Sequence, residues 1–249
     1  MPVQFENYTH SFELKGKPVF APSERGRRIG NDIKLKVEAA ANFDAFYHHL
    51  QPGGHVAALH AHRDNRYFAR VDIERFFYGI GRNRVARAIR ESGIRRAAHY
   101  AKWSCVKNPY GDPSYSLPYG FIQSPCLATL VLMLSPVGVF LRSLSRELTV
   151  SVYMDDISLS AADQARLMTA YEELTACMQH SGFALNAAKC RPPAVALDVF
   201  NCSLTGGLTQ VLEDRVAKFF SVARTAPSEA SFMRYCAAVE AGNAALPKS

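Results

Sequence analysis

Between residues 149 and 160 the apolar positions alternate. Val150 and Val152 fall on one face, then Ile157 and Leu159 do, with Tyr153, Met154, Asp155 and Asp156 between the two runs. A period of two predicts strands, and the tight connection predicts a β-hairpin with two adjacent carboxylates at its bend. Residues 67–73 alternate in the same way and predict a third strand, with Asp72 set between Val71 and Ile73 near its end. Elsewhere the period is helical. Ile33, Val37, Ala40 and Phe43 or Asp44 predict a helix over about 32–50, and residues 51–62 a glycine turn leading into a short helix. Val85, Ala88 and Ile89 predict an amphipathic helix over 82–102 with Arg84, Arg87 and Arg90 outward, which Gly93 would bend or break. Pro118 and Gly120 force a turn. Ser124 then reads as an N-cap, with Pro125 in the first turn of a long apolar helix through residue 144. Leu167, Ala170, Tyr171 and Leu174 mark a helix over 163–180 that Gly182 ends. Residues 198–204 read as a strand before Thr205, Gly206 and Gly207, and the chain from 213 on as helical, broken near Pro227.

Composition narrows this picture. At 249 residues and 48% hydrophobic, the chain can bury a sizeable core in one or two compact units. Its +7 charge is uneven: residues 1–112 hold 19 Lys and Arg against 11 Asp and Glu, and residues 113–249 hold 10 against 11. The basic surface is therefore N-terminal and suits a polyanion, although solvated helix faces would supply part of the excess. The six cysteines are scattered with no C-x-x-C pair, which argues for free thiols in a reducing cytosol rather than disulfides or a zinc finger. Residues 1–7 lack a basic stretch followed by an apolar one, so no signal peptide is expected. The apolar run 126–141 is short for a span and holds Pro136, so it reads as a buried core helix, and no membrane is expected.

The candidate chemistry lies in a few stretches. Asp155 and Asp156 repel each other at the hairpin bend, and Asp72 is poorly solvated between β-branched neighbours. Each site gains from a cation, while a plain turn or a structural salt bridge is the alternative. Two extended pieces, 18–21 and 27–29, flank a turn over 23–26 crowded by Arg25, Arg27 and Arg28. Guanidinium groups there suit phosphate capture or make a solvated basic loop. Five histidines lie in residues 48–62, but no Cys or nearby carboxylate completes a zinc spacing, which favours packing and hydrogen-bonding roles.

Taken together, three stretches resemble the blocks of a reverse transcriptase, in that family's order. Residues 72–77 (Asp72, Ile73, Glu74, Arg75, Phe76, Phe77) resemble its first catalytic block, residues 117–125 its substrate-floor block, and Tyr153, Met154, Asp155 and Asp156 its catalytic hairpin. With a fingers hairpin at 18–29 and the segment 186–189, the similarity covers about residues 16–207. Within the family the chain looks most like the bacterial retron-type and phage-defence enzymes. Ala57 and His60 resemble part of a retron block and residues 204–206 a Val-Thr-Gly block, while Val56 stands where retrons have Asn and Tyr119 where Gln is usual.

The resemblance implies an α+β fold: a right-hand polymerase palm, with an antiparallel sheet and helices behind it, plus fingers and a reduced C-terminal thumb. The expected boundaries are 1–66 for the N-terminal fingers, 67–207 for the palm with a fingers insertion at about 82–112, and 208–249 for the thumb-like region. It implies RNA-directed DNA polymerase chemistry in bacterial antiviral defence. Asp72, Asp155 and Asp156, with the Ile73 carbonyl, would hold two Mg²⁺ ions, or Mn²⁺ in their place. Phe77 would be the steric gate against a 2′-hydroxyl, and Tyr119, Gly120 and Gln123 the nucleotide floor. Arg28 would hold the triphosphate, Lys189 would lie near the leaving group, and Arg25, Arg27, Arg63, Arg66 and Tyr153 would contact nucleic acid. The implied partners are a noncoding or template RNA, a DNA product, dNTPs, and a protein partner or second copy completing the thumb, in the cytoplasm. Template-independent or protein-primed synthesis, suggested by Tyr119, and an RNA-binding assembly subunit are the alternative readings.

Overall fold

A computed structural model describes residues 7–244, so the signal-peptide expectation for residues 1–7 falls, but for Asn7, outside the described residues. The chain forms two compact units. One comprises Met1–Asp44, Ile73–Phe140 and Cys177–Ala184, the other Ala45–Asp72, Leu141–Ala176 and Leu185–Ser249.

The first unit opens with an antiparallel hairpin, β1 (Tyr8–Leu14) and β2 (Lys17–Pro22), turned by Lys15 and Gly16 in the left-handed region. The expected extended piece at 18–21 is β2, whereas the one at 27–29 is helical. Ser23 accepts the Gly26 N–H at 3.1 Å and so caps a helix, α1 (Glu24–Ala40), that absorbs Arg25, Arg27 and Arg28 into its first turns. A serine followed by residues free to wind was a helix start, not a turn. The predicted helix over 32–50 also shifts: α1 stops at Ala40, with Ile33 and Val37 buried as its apolar stripe requires. The predicted helix over 82–102 is two, α3 (Arg82–Glu91) and α4 (Ala97–Ser104), separated at Gly93, whose φ of +74° no helix continues through. A short ladder, β4 (Val106–Lys107) and β5 (Tyr115–Ser116), precedes α5 (Ser124–Met133). Gln123 rather than Ser124 occupies the cap position, and the long helix breaks before α6 (Pro136–Leu144), because a proline there lacks the N–H that would continue α5. No single helix among the described residues is long and apolar enough to cross a membrane.

The second unit is built on a four-stranded antiparallel sheet in the order β6-β7-β3-β8. These strands are β3 (Tyr67–Asp72), β6 (Thr149–Tyr153), β7 (Asp156–Ala161) and β8 (Arg191–Ala194). Two prolines, Pro192 and Pro193, lie in β8, which is an edge strand, where their missing N–H groups break no inner ladder. A 3₁₀ turn (His48–Leu50) and α2 (Gly54–His62) lead into β3. Helix α7 (Gln164–His180) starts at Asp163, whose carboxylate accepts the N–H groups of Ala165 and Arg166, and it runs on into the first unit.

The strand expected over 198–204 is a hairpin. Phe200 and Asn201 both take positive φ and turn β9 (Ala196–Val199) back as β10 (Cys202–Thr205), and β11 (Leu208–Val211) completes a three-stranded sheet. Helices α8 (Glu213–Phe220) and α9 (Ala226–Glu240) follow, with Pro227 in the first turn of α9. Phe68, Leu59, Leu204, Val211, Phe219 and Phe232 form one buried cluster that ties this small sheet and α9 to β3. Burying Phe68 alone contributes about 2–3 kcal/mol.

Candidate active site

Asp72 closes β3 and Asp156 opens β7, and the antiparallel register sets them directly opposite each other. On the other side of β7, Tyr153 pairs with Asp156, so Met154 and Asp155 alone make the loop of the hairpin. Met154 holds a φ of +59°, an uncommon conformation for a residue with a side chain. Its N–H donates to His49 Nδ1 at 3.2 Å, which anchors the bend, and the same nitrogen lies 3.4 Å from the Val152 carbonyl. Burial pushes the His49 imidazole down to about 4, consistent with that neutral acceptor. Tyr153 stands edge-on to His49, His55 and Phe200 beside a cavity of about 660 Å³ that is lined further by Arg215 and Phe232.

The acids are held by cations. Asp72 is 1% exposed and accepts from Lys189 Nζ at 3.1 Å and Arg70 Nη2 at 3.4 Å. Arg70, 15% exposed, also grips Asp156 in a close ion pair. Burial raises the Asp156 carboxyl to about 6 despite Arg70, and the charges of Asp155 and Asp72 push the same way. Around Asp72 the backbone is pinned as well: Asn186 N–H donates to its carbonyl at 2.9 Å, and its own N–H points to Cys190 Sγ at 3.5 Å. Lys189 sits in the turn that follows Asn186.

Two carboxylates at adjacent strand ends, with a third in the loop beside them, supply hard oxygen donors of the kind Mg²⁺ and Mn²⁺ take, and Asp72 and Asp156 already share one cation, the Arg70 guanidinium. The donor set therefore fits a divalent ion. Among the described residues, the side chains do not converge as a ready metal cluster, and the Arg70 guanidinium contacts two of the acids. Ile73 follows Asp72 directly and its side chain is buried.

The residues of the substrate-floor block lie in the first unit. Gly120 has a φ of +99°, and a Cβ there would come within 2.2 Å of the Phe20 carbonyl oxygen, so only glycine fits. The contact follows from a bridge between Val19 and Tyr119 and the Phe20 N–H bond to the Tyr119 carbonyl at 2.9 Å. The Tyr119 ring packs on Phe77 at 4.8 Å and lies under Lys17 Nζ at 5.1 Å. Phe77 is 8% exposed. Gln123 is buried against Gly30 and donates to Ser104 Oγ at 3.4 Å, so its amide faces protein.

The arginines divide. Arg27, Arg28 and Arg66 are exposed, and Arg25 is exposed while stacking on Trp103 at 5.0 Å. Arg63 is buried and donates to Thr209 Oγ1 at 3.1 Å, which turns its charge inward. Arg84, expected outward, lies over the Phe183 ring at 4.3 Å and donates to the Gly182 carbonyl. The histidines serve as hydrogen-bonding groups. His62 is buried between Ser151 Oγ at 2.8 Å and Ser160 Oγ at 2.7 Å, and His60 meets the Val239 carbonyl at 2.9 Å. Sequence reasoning missed Arg70. Its signal was the same period of two that placed Asp72, since residues i and i−2 share a face.

An antiparallel sheet with paired acids at its strand ends in one unit, and a largely helical other unit carrying the floor block, are the parts of a palm-and-fingers fold. Residues 15–195 match the model of the family described as reverse transcriptase (RNA-dependent DNA polymerase), and the chain belongs to that family. Solved structures agree in fold. The foamy viral protease-reverse transcriptase in complex with an RNA/DNA hybrid is 14% identical over 79% of this chain and 23% of that one, with a TM-score of 0.51. Its dRH form in complex with double-stranded DNA is 14% identical over 86% and 32%, with a TM-score of 0.53. The telomerase of Candida albicans, in complex with a TWJ fragment of telomeric RNA, is 11% identical over 72% and 36%, also at 0.53. The chain thus spans between 23% and 36% of the length of these proteins. No curated protein matches it.

Proposed function

We propose that this chain is an RNA-directed DNA polymerase that extends a primer with dNTPs, using two Mg²⁺ ions, or Mn²⁺, held by Asp72, Asp155 and Asp156. The observation that carries the reading is the register pairing of Asp72 with Asp156 beside the Asp155 loop, in a chain of the reverse transcriptase family. When bound, the two ions would activate a 3′-hydroxyl and steady the pyrophosphate leaving group. The chain's own residues do the rest. Lys189, already paired with Asp72, supplies mobile positive charge near the acids. Phe77, backed by Tyr119, offers a flat apolar wall for the sugar, and the exposed Arg28 suits a triphosphate. RNA and DNA are the partners, and the RNA/DNA, DNA and telomeric RNA complexes of the solved relatives support that reading.

The retron-like Ala57, His60, Thr205 and Gly206 favour a bacterial defence role with a noncoding RNA, and six free cysteines favour a reducing cytosol. A second reading, template-independent or protein-primed synthesis by the same acids, is favoured by Tyr119, a bulky ring in the floor block. Primer extension on supplied RNA, with sequencing of products made with and without it, tests both. Complementary products that vanish in Asp155→Asn support the proposal. Products unrelated to the template favour the second reading, and no incorporation by the unmodified chain overturns both.

A further inference from the structure

Arg70 and Asp72 lie two residues apart on β3 and share a face. Across the ladder Arg70 pairs with Ser158 and Asp72 with Asp156, so the Arg70 guanidinium reaches diagonally to Asp156 while still touching Asp72. Lys189 is different in kind: it is 48% exposed, and its side-chain contact is with Asp72. Two cations thus stand against Asp72 and Asp156, where a dication would have to bind. Of the two cations, the nearly buried fork is the one that spans both strands.

We propose that Arg70 is a resident counter-ion, which competes with divalent cations for Asp72 and Asp156 and must release them for the acids to load metal. The inference rests on the reading that these acids are metal ligands. The structure also supplies a place for the released group. Arg70 Nη1 already points to the Asp198 carbonyl at 3.5 Å, and Ser158, directly across from Arg70, keeps a buried hydroxyl without a hydrogen-bond partner. A guanidinium that slides toward these two acceptors frees both carboxylates without becoming stranded. Arg70 is on this account a positioning residue. It holds the acids at strand-end spacing without metal, and it sets how much cation is needed to occupy them.

The test is Mn²⁺ binding alone, followed by the electron paramagnetic resonance signal of free Mn²⁺ as metal is titrated into the full chain. Arg70→Met should tighten binding about tenfold, since a positive charge a few ångströms away is removed. Arg70→Lys keeps the charge but grips one carboxylate at a time, and should tighten binding about threefold. It carries the test by itself if Arg70→Met does not fold. Mg²⁺ should also raise the melting temperature of either variant more than that of the unmodified chain. Equal Mn²⁺ affinity in the unmodified chain and Arg70→Lys overturns the counter-ion role and leaves the acids as ligands. Tightening that persists when Asp155→Asn is added places the metal elsewhere and overturns it too. No bound Mn²⁺ in any variant overturns both this inference and the metal reading beneath it.

Discussion

The acid hairpin and the turn around Gly120 are both legible motifs, yet they are fixed by opposite means. At the hairpin, like charges are gathered at strand ends and kept there by Arg70 and Lys189, so the arrangement depends on cations that can exchange. Around Gly120 shape does the holding, with Lys17 over the Tyr119 ring. A missing Cβ lets the backbone meet Phe20, and packed rings of Phe77, Tyr78 and Tyr119 hold the rest. On the proposed reading the first region trades partners during chemistry, while the second keeps its shape. A substitution in one should therefore alter turnover, and in the other, folding.

The sharpest break in this comparison is Asp72→Asn. It should lower primer extension by about 10³-fold or more while leaving the far-ultraviolet dichroism intact, since it removes a charge needed for cation binding and little volume. Retained extension would remove Asp72 from the metal site. Gly120→Ala should do the reverse, destabilising the chain by about 3 kcal/mol through its positive φ and the 2.2 Å approach to Phe20, as read from denaturant melts. If Gly120→Ala melts normally, the contact with Phe20 is not what fixes the turn.

Acid should loosen the base of the hairpin. Burial pushes the His62 ring from 6.5 down to about 3, so the folded state resists a proton that the unfolded state accepts. The stability this residue supports is full above pH 6.5 and declines as pH falls toward 3, with a slope of up to about 1.4 kcal/mol per unit. His62→Gln should flatten that slope in urea melts at stepped pH, and an unchanged slope would point to other groups.

Smaller effects probe the rings. Phe77→Ala should raise ribonucleotide use about tenfold relative to dNTPs in single-nucleotide incorporation, and unchanged discrimination would refute the gate. Tyr119→Phe, which keeps the ring and loses the Lys17 contact to its hydroxyl at 3.4 Å, should cost less than about 1 kcal/mol.

What the chain disclosed depended on how local each signal was. The acid hairpin was readable because alternation and a two-residue turn lie within a dozen positions, and the strand of Asp72 for the same reason. The N-terminal hairpin was misplaced because Ser23 and its arginines look like a turn until the Gly26 N–H is seen to close on the serine. The β9–β10 turn was invisible because Phe200 and Asn201 adopt positive φ without a glycine to announce it. Gln123 looked available to a nucleotide. That its amide is buried follows from Gly30, 93 positions earlier, leaving room for it, and no local pattern carries that. Arg70 was overlooked because its meaning is a pairing across strands, which periodicity permits but does not specify.

The division of the chain into two units also bears on how the protein is made. The boundary cuts between Asp72 and Ile73, inside the first catalytic block, and the chain changes unit again after residues 140, 176 and 184. As residues emerge from a ribosome, the opening 44 cannot complete their unit until residue 184 has been synthesised, and the other unit waits for segments beyond it. Such sequence-distant closure slows folding and leaves apolar strands uncovered meanwhile. Neither unit can be excised as a contiguous fragment, so slower translation or chaperone supply during expression should improve the yield of the intact chain more than trimming it would.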